Sequence, residues 1–304
     1  METKYGILTG VIGVEKYKNG NIMSCKVNEK NILKTKIGEL VPQFENGEER
    51  RKITGTLEFY ENGDIKSICL DKKMSILTSV GVIPAEKIIF YPGDKIKRIF
   101  PLNGKLSGYW GEENEYGLSE KIEINSHKIK ISAKFINISF YENGNIKSLT
   151  FWPKERTIFE TGFGRVSVRK GISFYEDGSL KSLEPANEIK LKTPIGEISV
   201  FNNEIVGING DINSIQVHHD GSLKSIYTCV NKIEIKSYKE NKVIEPELKP
   251  GWCNELIKVP TAIKIDFMDD LVIFNEKDVF NMKKYKFNIL NKEMKTISEE
   301  LVCS

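Results

Sequence analysis

The residues of this chain best suited to chemistry are few and scattered. His218-His219 pairs two imidazoles, the side chain most often used to hold a divalent metal. In an extended segment, however, neighbouring residues point to opposite faces, so the pair does not close on one ion. Glu48-Glu49 and Glu112-Glu113 supply paired carboxylates of the kind used in general acid–base chemistry, but both fall in polar connecting segments where a solvated loop is expected. Asp266, Asp269 and Asp270 could ligate a cation, and an Asp-Asp type I′ turn accounts for the same residues. The glycine pairs Gly10/Gly13 and Gly162/Gly164 do not open a helix as a phosphate-cradling loop does, and are expected in turns or bulges. No Gly-x-Ser-x-Gly, Gly-x-x-x-x-Gly-Lys-Ser or His-Glu-x-x-His occurs. The five cysteines, Cys25, Cys69, Cys229, Cys253 and Cys303, are odd in number, dispersed and without a Cys-x-x-Cys pair, and read as small buried apolar residues. No catalytic residue, metal ligand or cofactor is expected. One segment stands apart: Ser107 to Tyr116 places Tyr109, Trp110 and Tyr116 among acidic residues, the composition of a recognition loop on a rigid scaffold.

What must position these residues is a repeated phrase. Phe59-Tyr60-Glu61-Asn62-Gly63-Asp64-Ile65-Lys66-Ser67-Ile68 recurs at Phe140 to Leu149 and Phe174 to Leu183, and in weaker form at Lys16 to Cys25 and Val217 to Ile226. Asn-Gly or Asp-Gly between aromatic and β-branched residues predicts a hairpin with a type I′ turn. The turn glycines are Gly20, Gly63, Gly144, Gly178 and Gly221, with Leu102-Asn103-Gly104 as a degraded copy, giving a period of about 40 residues. A second similarity follows each hairpin: a longer strand ending in Gly, at Ile32 to Leu40, Ile76 to Ile83, Ile158 to Val166 and Ile189 to Ile198. Pro194 places the last of these at an edge or a bulge. Subsidiary turns at Tyr91 to Asp94 and Asn209 to Asp211 bring the count to about four strands per unit.

Aligning the copies gives columns. Tyr17, Tyr60, Tyr91, Tyr141, Tyr175 and His218 form one, facing Ile22, Ile65, Ile96, Ile146, Leu180 and Leu223 as cross-strand pairs. A lysine column follows at Lys66, Lys97, Lys147, Lys181 and Lys224, with Met23 in the first copy, and reads as a solvated face that guards against edge pairing. In a sheet four strands wide per unit, these lysines would lie about 19 Å apart. His218 for tyrosine, with His219 beside it, and the loop around Trp110 are the departures from the pattern where partner contacts are expected.

Composition agrees with a folded chain. Of 304 residues, 39% are hydrophobic and 29% charged, enough apolar content for a substantial core. The 45 basic and 42 acidic side chains are interspersed without a basic stripe, which argues against nucleic acid as a partner. No apolar run reaches the roughly 18 residues of a membrane span, and the first residues lack a signal-peptide pattern, so a cytoplasmic location is expected. The repeats occupy residues 1–250; the prolines and glycine at Pro246, Pro250 and Gly251 mark a break, and residues 251–304 read as a β-rich terminal cap. Within it, Ala262 to Phe274 reads as a further hairpin and Tyr285 to Leu290 as a strand.

The Tyr-x-Asn-Gly-x-Ile-Lys-Ser phrase, over roughly Gly20 to Ile226, resembles the MORN-variant hairpin repeats of bacteria, and with Thr193 to Ile198 it resembles an uncharacterised bacterial group. The resemblance implies an extended coiled antiparallel sheet and a binding role, in some relatives of immunity or antitoxin type; it carries no catalytic residues. The expectation is an all-β protein of about six imperfect four-strand hairpin units, in an elongated coiled sheet or β-solenoid, with a β-propeller as the alternative. The expected function is a non-catalytic scaffold or protein-binding module, with Tyr109, Trp110, Tyr116, His218 and His219 as partner contacts. The alternative is a carbohydrate- or small-molecule-active enzyme with its site between units.

Overall fold

The computed structural model describes residues 1–45, 50–51, 57–203, 210–250 and 258–291. It is all-β, built from antiparallel hairpins; among the described residues the single helix is Glu112–Leu118. None of the described helical residues forms a segment long and apolar enough to cross a membrane. The chain divides into two compact units, one of Met1–Glu155 with Glu176–Gly178, the other of Arg156–Tyr175 with Ser179–Ser304.

In the first unit, strands Val11–Lys16, Ile22–Val27, Leu57–Phe59, Ile65–Thr78, Gly81–Phe90, Ile96–Phe100, Phe135–Phe140 and Ile146–Phe151 pair in that order, each antiparallel to the next. Side-by-side pairing of eight strands is not the separate four-strand blade of a propeller. The register explains the core: Cys25, Leu57, Ile68, Ile88, Ile99, Ile138 and Leu149 form one unbroken cross-strand row, and all are buried. The second unit repeats the device with Ile172, Leu183, Ile215, Ile226, Ile265 and Phe274. Its later strands include the expected hairpin Ile263–Met268/Leu271–Phe274 and the strand Lys286–Asn291.

Several expectations are corrected by the hydrogen bonds. The repeated turn is not type I′. Tyr60 N–H donates to Asp64 C=O and Gly63 N–H to Tyr60 C=O, and only Gly63, at φ 82°, has positive φ. This is the three-residue loop built on a type I turn with a left-handed glycine. The asparagine acts through its side chain: Asn62 Oδ1 accepts the Asp64 N–H at 3.0 Å, and Asn19, Asn143 and Asp220 accept equivalently from Asn21, Asn145 and Ser222. The glycine frees the backbone; the asparagine satisfies it.

The strand ending in Gly is itself a hairpin. Thr35 Oγ1 donates to Gly38 C=O, Thr78 to Gly81, Thr161 to Gly164 and Thr193 to Gly196, at 2.6–2.7 Å. Pro194 lies in the last of these turns, where no ladder donor is needed, rather than in a strand. Each copy of the Tyr- or His-led turn thus joins two strands of the main sheet, and four of the copies are followed by a hairpin that turns at Thr-x-x-Gly, rather than by four strands side by side. Equivalent lysines on neighbouring hairpins are then about 10 Å apart, half the expected separation.

The third copy of the turn is at Tyr91, not Gly104. Tyr91 N–H donates to Lys95 C=O, and Asp94, at φ 65°, takes the left-handed position that glycine holds elsewhere. Its carboxylate is used: Oδ1 accepts from the buried Tyr5 hydroxyl at 2.5 Å and Oδ2 from Lys36 N–H at 3.3 Å.

The tyrosine column is also reassigned. The aliphatic column pairs with the residue before each tyrosine, as in Phe59–Ile65, Phe140–Ile146 and Phe174–Leu180. The tyrosine instead reaches the next hairpin: Tyr17 OH donates to Phe59 C=O, Tyr60 to Phe90, Tyr91 to Phe140 and Tyr175 to Val217, at 2.7–3.1 Å. The column is a ladder of inter-hairpin bonds, each contributing about 1 kcal/mol.

Candidate functional site

The long connection from Pro101 to Lys121, expected as a loop, contains a clamped helix. Gly111 opens Glu112–Leu118 with its N–H bonded to Asn114 Oδ1 at 2.9 Å. One turn on, Glu115 points inward and is 3% exposed. Its carboxylate accepts four hydrogen bonds: Arg50 Nε and Nη2 at 2.8 Å, Trp110 Nε1 at 2.7 Å and Gly104 N–H at 2.8 Å. That uses every lone-pair direction a carboxylate has.

Arg50 is the hub. Its guanidinium also grips Glu86 through Nη1 at 3.1 Å and Nη2 at 2.7 Å, and Glu86 accepts Asn103 N–H at 2.7 Å. Arg51 Nε stands 3.9 Å from the same carboxylate. A planar fork can hold two carboxylates bidentately, which a lysine cannot. Burial alone would lower the Arg50 pKa; its hydrogen bonds to the Glu115 and Glu86 carboxylates outweigh it and hold the value above the ordinary one. Burial likewise pushes the Glu115 carboxyl up, and bonds from Arg50 and Trp110 reverse this and hold it below the carboxylate range. A Cβ on Gly104 would stand 2.2 Å from Glu115 Oε2, so glycine is required there by close approach rather than by a turn.

The clamp decides what the connection presents. Ser107 N–H donates to Trp110 C=O, and Ser107 Oγ accepts from the N–H groups of Tyr109 and Trp110, closing a tight turn. Trp110 is half-buried and tied down by Glu115, while Tyr109 is 84% exposed. Tyr116 is half-buried: Lys134 Nζ lies 4.2 Å from its ring centroid, Trp152 meets it edge-on at 6.1 Å and its hydroxyl is 3.3 Å from Glu155 Oε2. Lys154 pairs with Glu113 on the exposed face. Of the three aromatic candidates in this stretch, Tyr109 alone faces solvent fully; Trp110 and Tyr116 are supports.

His218 and His219 belong to the second unit. His218 holds the tyrosine's place in its turn, its N–H bonded to Ser222 C=O, and His219 stacks on Tyr175 at 4.2 Å. Both are exposed. Among the described residues no three His, Cys, Asp or Glu side chains come together as a metal site. In the Asp-Asp turn only Asp269 has positive φ, so this too is not type I′; Lys283 pairs with Asp270 and Lys264 with Asp266. Glu48, Glu49, Cys253 and Cys303 lie outside the described residues.

Sequence reading missed Arg50, Glu86 and Glu115 as a group because they are 36 and 65 residues from one another along the chain. The available signal was Glu86 in the otherwise apolar strand segment Val82-Ile83-Pro84-Ala85, where an acidic residue needs a buried cation. The second unit holds a comparable centre. Glu184, 2% exposed, accepts from Ser214 N–H at 2.8 Å and Ser214 Oγ at 2.6 Å, with Arg169 Nη2 at 3.7 Å. Burial raises its pKa against the opposing Ser214 bonds.

No family model, curated protein or solved structure matches the chain.

Proposed function

We propose that this chain is a non-catalytic hairpin-repeat scaffold that binds a protein partner, with the clamped connection as a contact element. One observation carries the reading: Tyr109 is 84% exposed on a turn whose next residue is fixed by a buried carboxylate. A turn whose backbone is fixed before binding loses little freedom on contact, which lowers the ordering cost of presenting an exposed aromatic side chain to a partner. The side chains with chemistry in the clamp are spent on each other, Arg50 and Glu115 above all, which supports a mechanical role for them. The hairpin phrase's resemblance to MORN-variant proteins extends the proposal to an immunity- or antitoxin-like role for this chain toward its protein partner. Three buried cysteines that form no disulfide, Cys25, Cys69 and Cys229, support a cytoplasmic setting.

The test is capture of partners from the native cell by the tagged full chain, quantified by mass spectrometry against Tyr109→Ala. The expected result is a protein enriched by the wild type and reduced at least about tenfold by the variant, the loss typical of an anchor residue. The proposal fails if no protein is enriched or if enrichment is unchanged in Tyr109→Ala, whose thermal midpoint should match the wild type.

A further inference from the structure

Four hairpins of this chain turn through the same Thr-x-x-Gly device, so the chain carries its own set of internal controls. One step in from the Thr–Gly pair, the directly opposed residues are Lys34–Glu39, Leu77–Val82, Glu160–Arg165 and Lys192–Glu197. One step further the pairs are Leu33–Leu40, Ile76–Ile83, Phe159–Val166 and Leu191–Ile198, all buried. The inner pair is thus apolar in every copy. The outer pair carries opposite charges in three copies, with Glu160 and Arg165 ion-paired at 2.9 Å. In the fourth it is two aliphatic side chains, Leu77 at 77% and Val82 at 57% exposure.

The hairpin does not need them. The same threonine bond and the same inner pair form in the three charged copies, so folding gives no reason for Leu77 and Val82 to be apolar. Exposed aliphatic residues standing alone need no explanation, but this pair adjoins a second apolar feature. Beside Leu77 lies a cleft of about 260 Å³, lined in its apolar part by Ile37, Leu77, Ile96 and Phe140. Lys95 and Glu142, an exposed ion pair at 3.5 Å, also line it. Ser79 Oγ donates to Gly144 C=O at 2.6 Å, tying the hairpin tip to the neighbouring turn.

The size of this feature selects its occupant. Small-molecule sites generally start at about 300 Å³ and enclose their ligand, which this cleft does not reach. A stable dimer needs about 800 Å² from each copy, far more than one aliphatic pair and a shallow cleft supply. From these limits we infer that Leu77, Val82 and the cleft form an anchor site for one large apolar side chain on a short extended segment of a partner protein. The Lys95–Glu142 pair offers that segment's backbone a donor and an acceptor. This rests on the protein-binding reading above and adds to it a second contact, specific for an aliphatic or aromatic anchor.

The test pans a display library of linear 12-residue peptides, about 40 Å of extended chain, on the full chain. The counter-target is Leu77→Lys/Val82→Glu, which installs the pair already present at Lys34–Glu39 and Lys192–Glu197 and should fold as they do. Selected peptides are expected to share one large apolar residue and to bind the variant at least about tenfold more weakly by fluorescence anisotropy. Should the charged variant unfold, Leu77→Ser alone serves, with a smaller loss in the same direction. Peptides that bind wild type and variant equally, failure to select any peptide, or a dimer of the wild type abolished in the variant would each overturn the inference. Partner capture separates the two proposals: loss in Tyr109→Ala with full retention in Leu77→Lys/Val82→Glu leaves the scaffold standing and removes the cleft from it.

Discussion

Replacing Arg50 by Leu tests the clamp most directly, because its consequences can be worked out from the contacts. The wild-type guanidinium donates four hydrogen bonds to Glu86 and Glu115, whose side chains are 6% and 4% exposed. In the variant Glu115 keeps Trp110 Nε1 and Gly104 N–H, and Glu86 keeps Asn103 N–H with Arg51 at 3.9 Å. Removing one partner of a buried pair costs about 3–5 kcal/mol, and the donors that remain place this site near the lower end, about 3 kcal/mol. The pH dependence carries a sign. In the wild type the Glu115 pKa is depressed, so its contribution is present above the unfolded value, about 4.3, and is lost as pH falls through the folded one. In the variant Glu115 is buried without its cation, its folded pKa rises because burial is no longer opposed by Arg50, and the penalty disappears as it protonates. Both effects shrink the difference between the proteins in acid. Urea titration followed by tryptophan fluorescence, with hydrogen exchange at the Asn103 and Gly104 amides, should show a gap of about 3 kcal/mol at pH 7.5 that narrows below about 1 kcal/mol near pH 4. Arg50→Leu/Glu86→Gln/Glu115→Gln should recover more than half of it. A loss under about 1 kcal/mol at pH 7.5, or one independent of pH, would refute the reasoning.

Other expectations follow from single contacts. Gly104→Ala pushes a methyl into the Glu115 carboxylate and should loosen the helix Glu112–Leu118, seen as a red-shifted Trp110 emission and a stability loss of about 2–4 kcal/mol by urea titration. Tyr60→Phe removes the bond to Phe90 C=O and should lower the urea midpoint by the equivalent of about 1 kcal/mol with an unchanged m value. Burial pushes the Cys25 and Cys229 thiols up to about 11 and raises Cys69 as well, so all three should resist an aromatic disulfide reagent at pH 8 until the chain is unfolded. Glu184 has a raised pKa, so its contribution is fullest below the unfolded value and is lost as pH rises through the folded one. Glu184→Gln should therefore flatten the fall in stability above pH 4.5 as measured by chemical denaturation in a buffer series.

The hairpins were legible because each is specified within ten residues. Phe59, Asn62, Gly63 and Ile65 combine turn chemistry and strand propensity locally, and the structure turns where they stand. What local reading could not assign was the division of labour within the phrase. Asn62 was legible as a turn residue but not as an acceptor for Asp64 N–H, because Asn-Gly serves two different loops equally well. Tyr60 was legible as an apolar column, yet its hydroxyl bonds Phe90, thirty residues on, and a register one hairpin away is not encoded nearby. Asp94 hid the third turn by replacing glycine with a residue whose strain is offset by Tyr5, a contact 89 residues distant. The clamp was illegible for the same reason: each of its carboxylates finds its cation only after the sheet has assembled.

That division also orders the cooperativity of the fold. A local turn such as Tyr60 to Asp64 can form before its neighbours, whereas the Tyr60–Phe90 bond and the Arg50 fork require two elements already in place. Contacts made late in assembly slow unfolding more than they speed folding. The clamp that fixes Trp110, next to Tyr109, is of this late kind, since it joins residues 50, 86 and 115 from three separate stretches of chain. Its loss should act chiefly on the unfolding rate, and the turn that carries Tyr109 should loosen before the hairpin row of Leu57, Ile68 and Ile88 loses its register. For the contact proposed at Tyr109, this order of loss means that affinity can change without the sheet being lost.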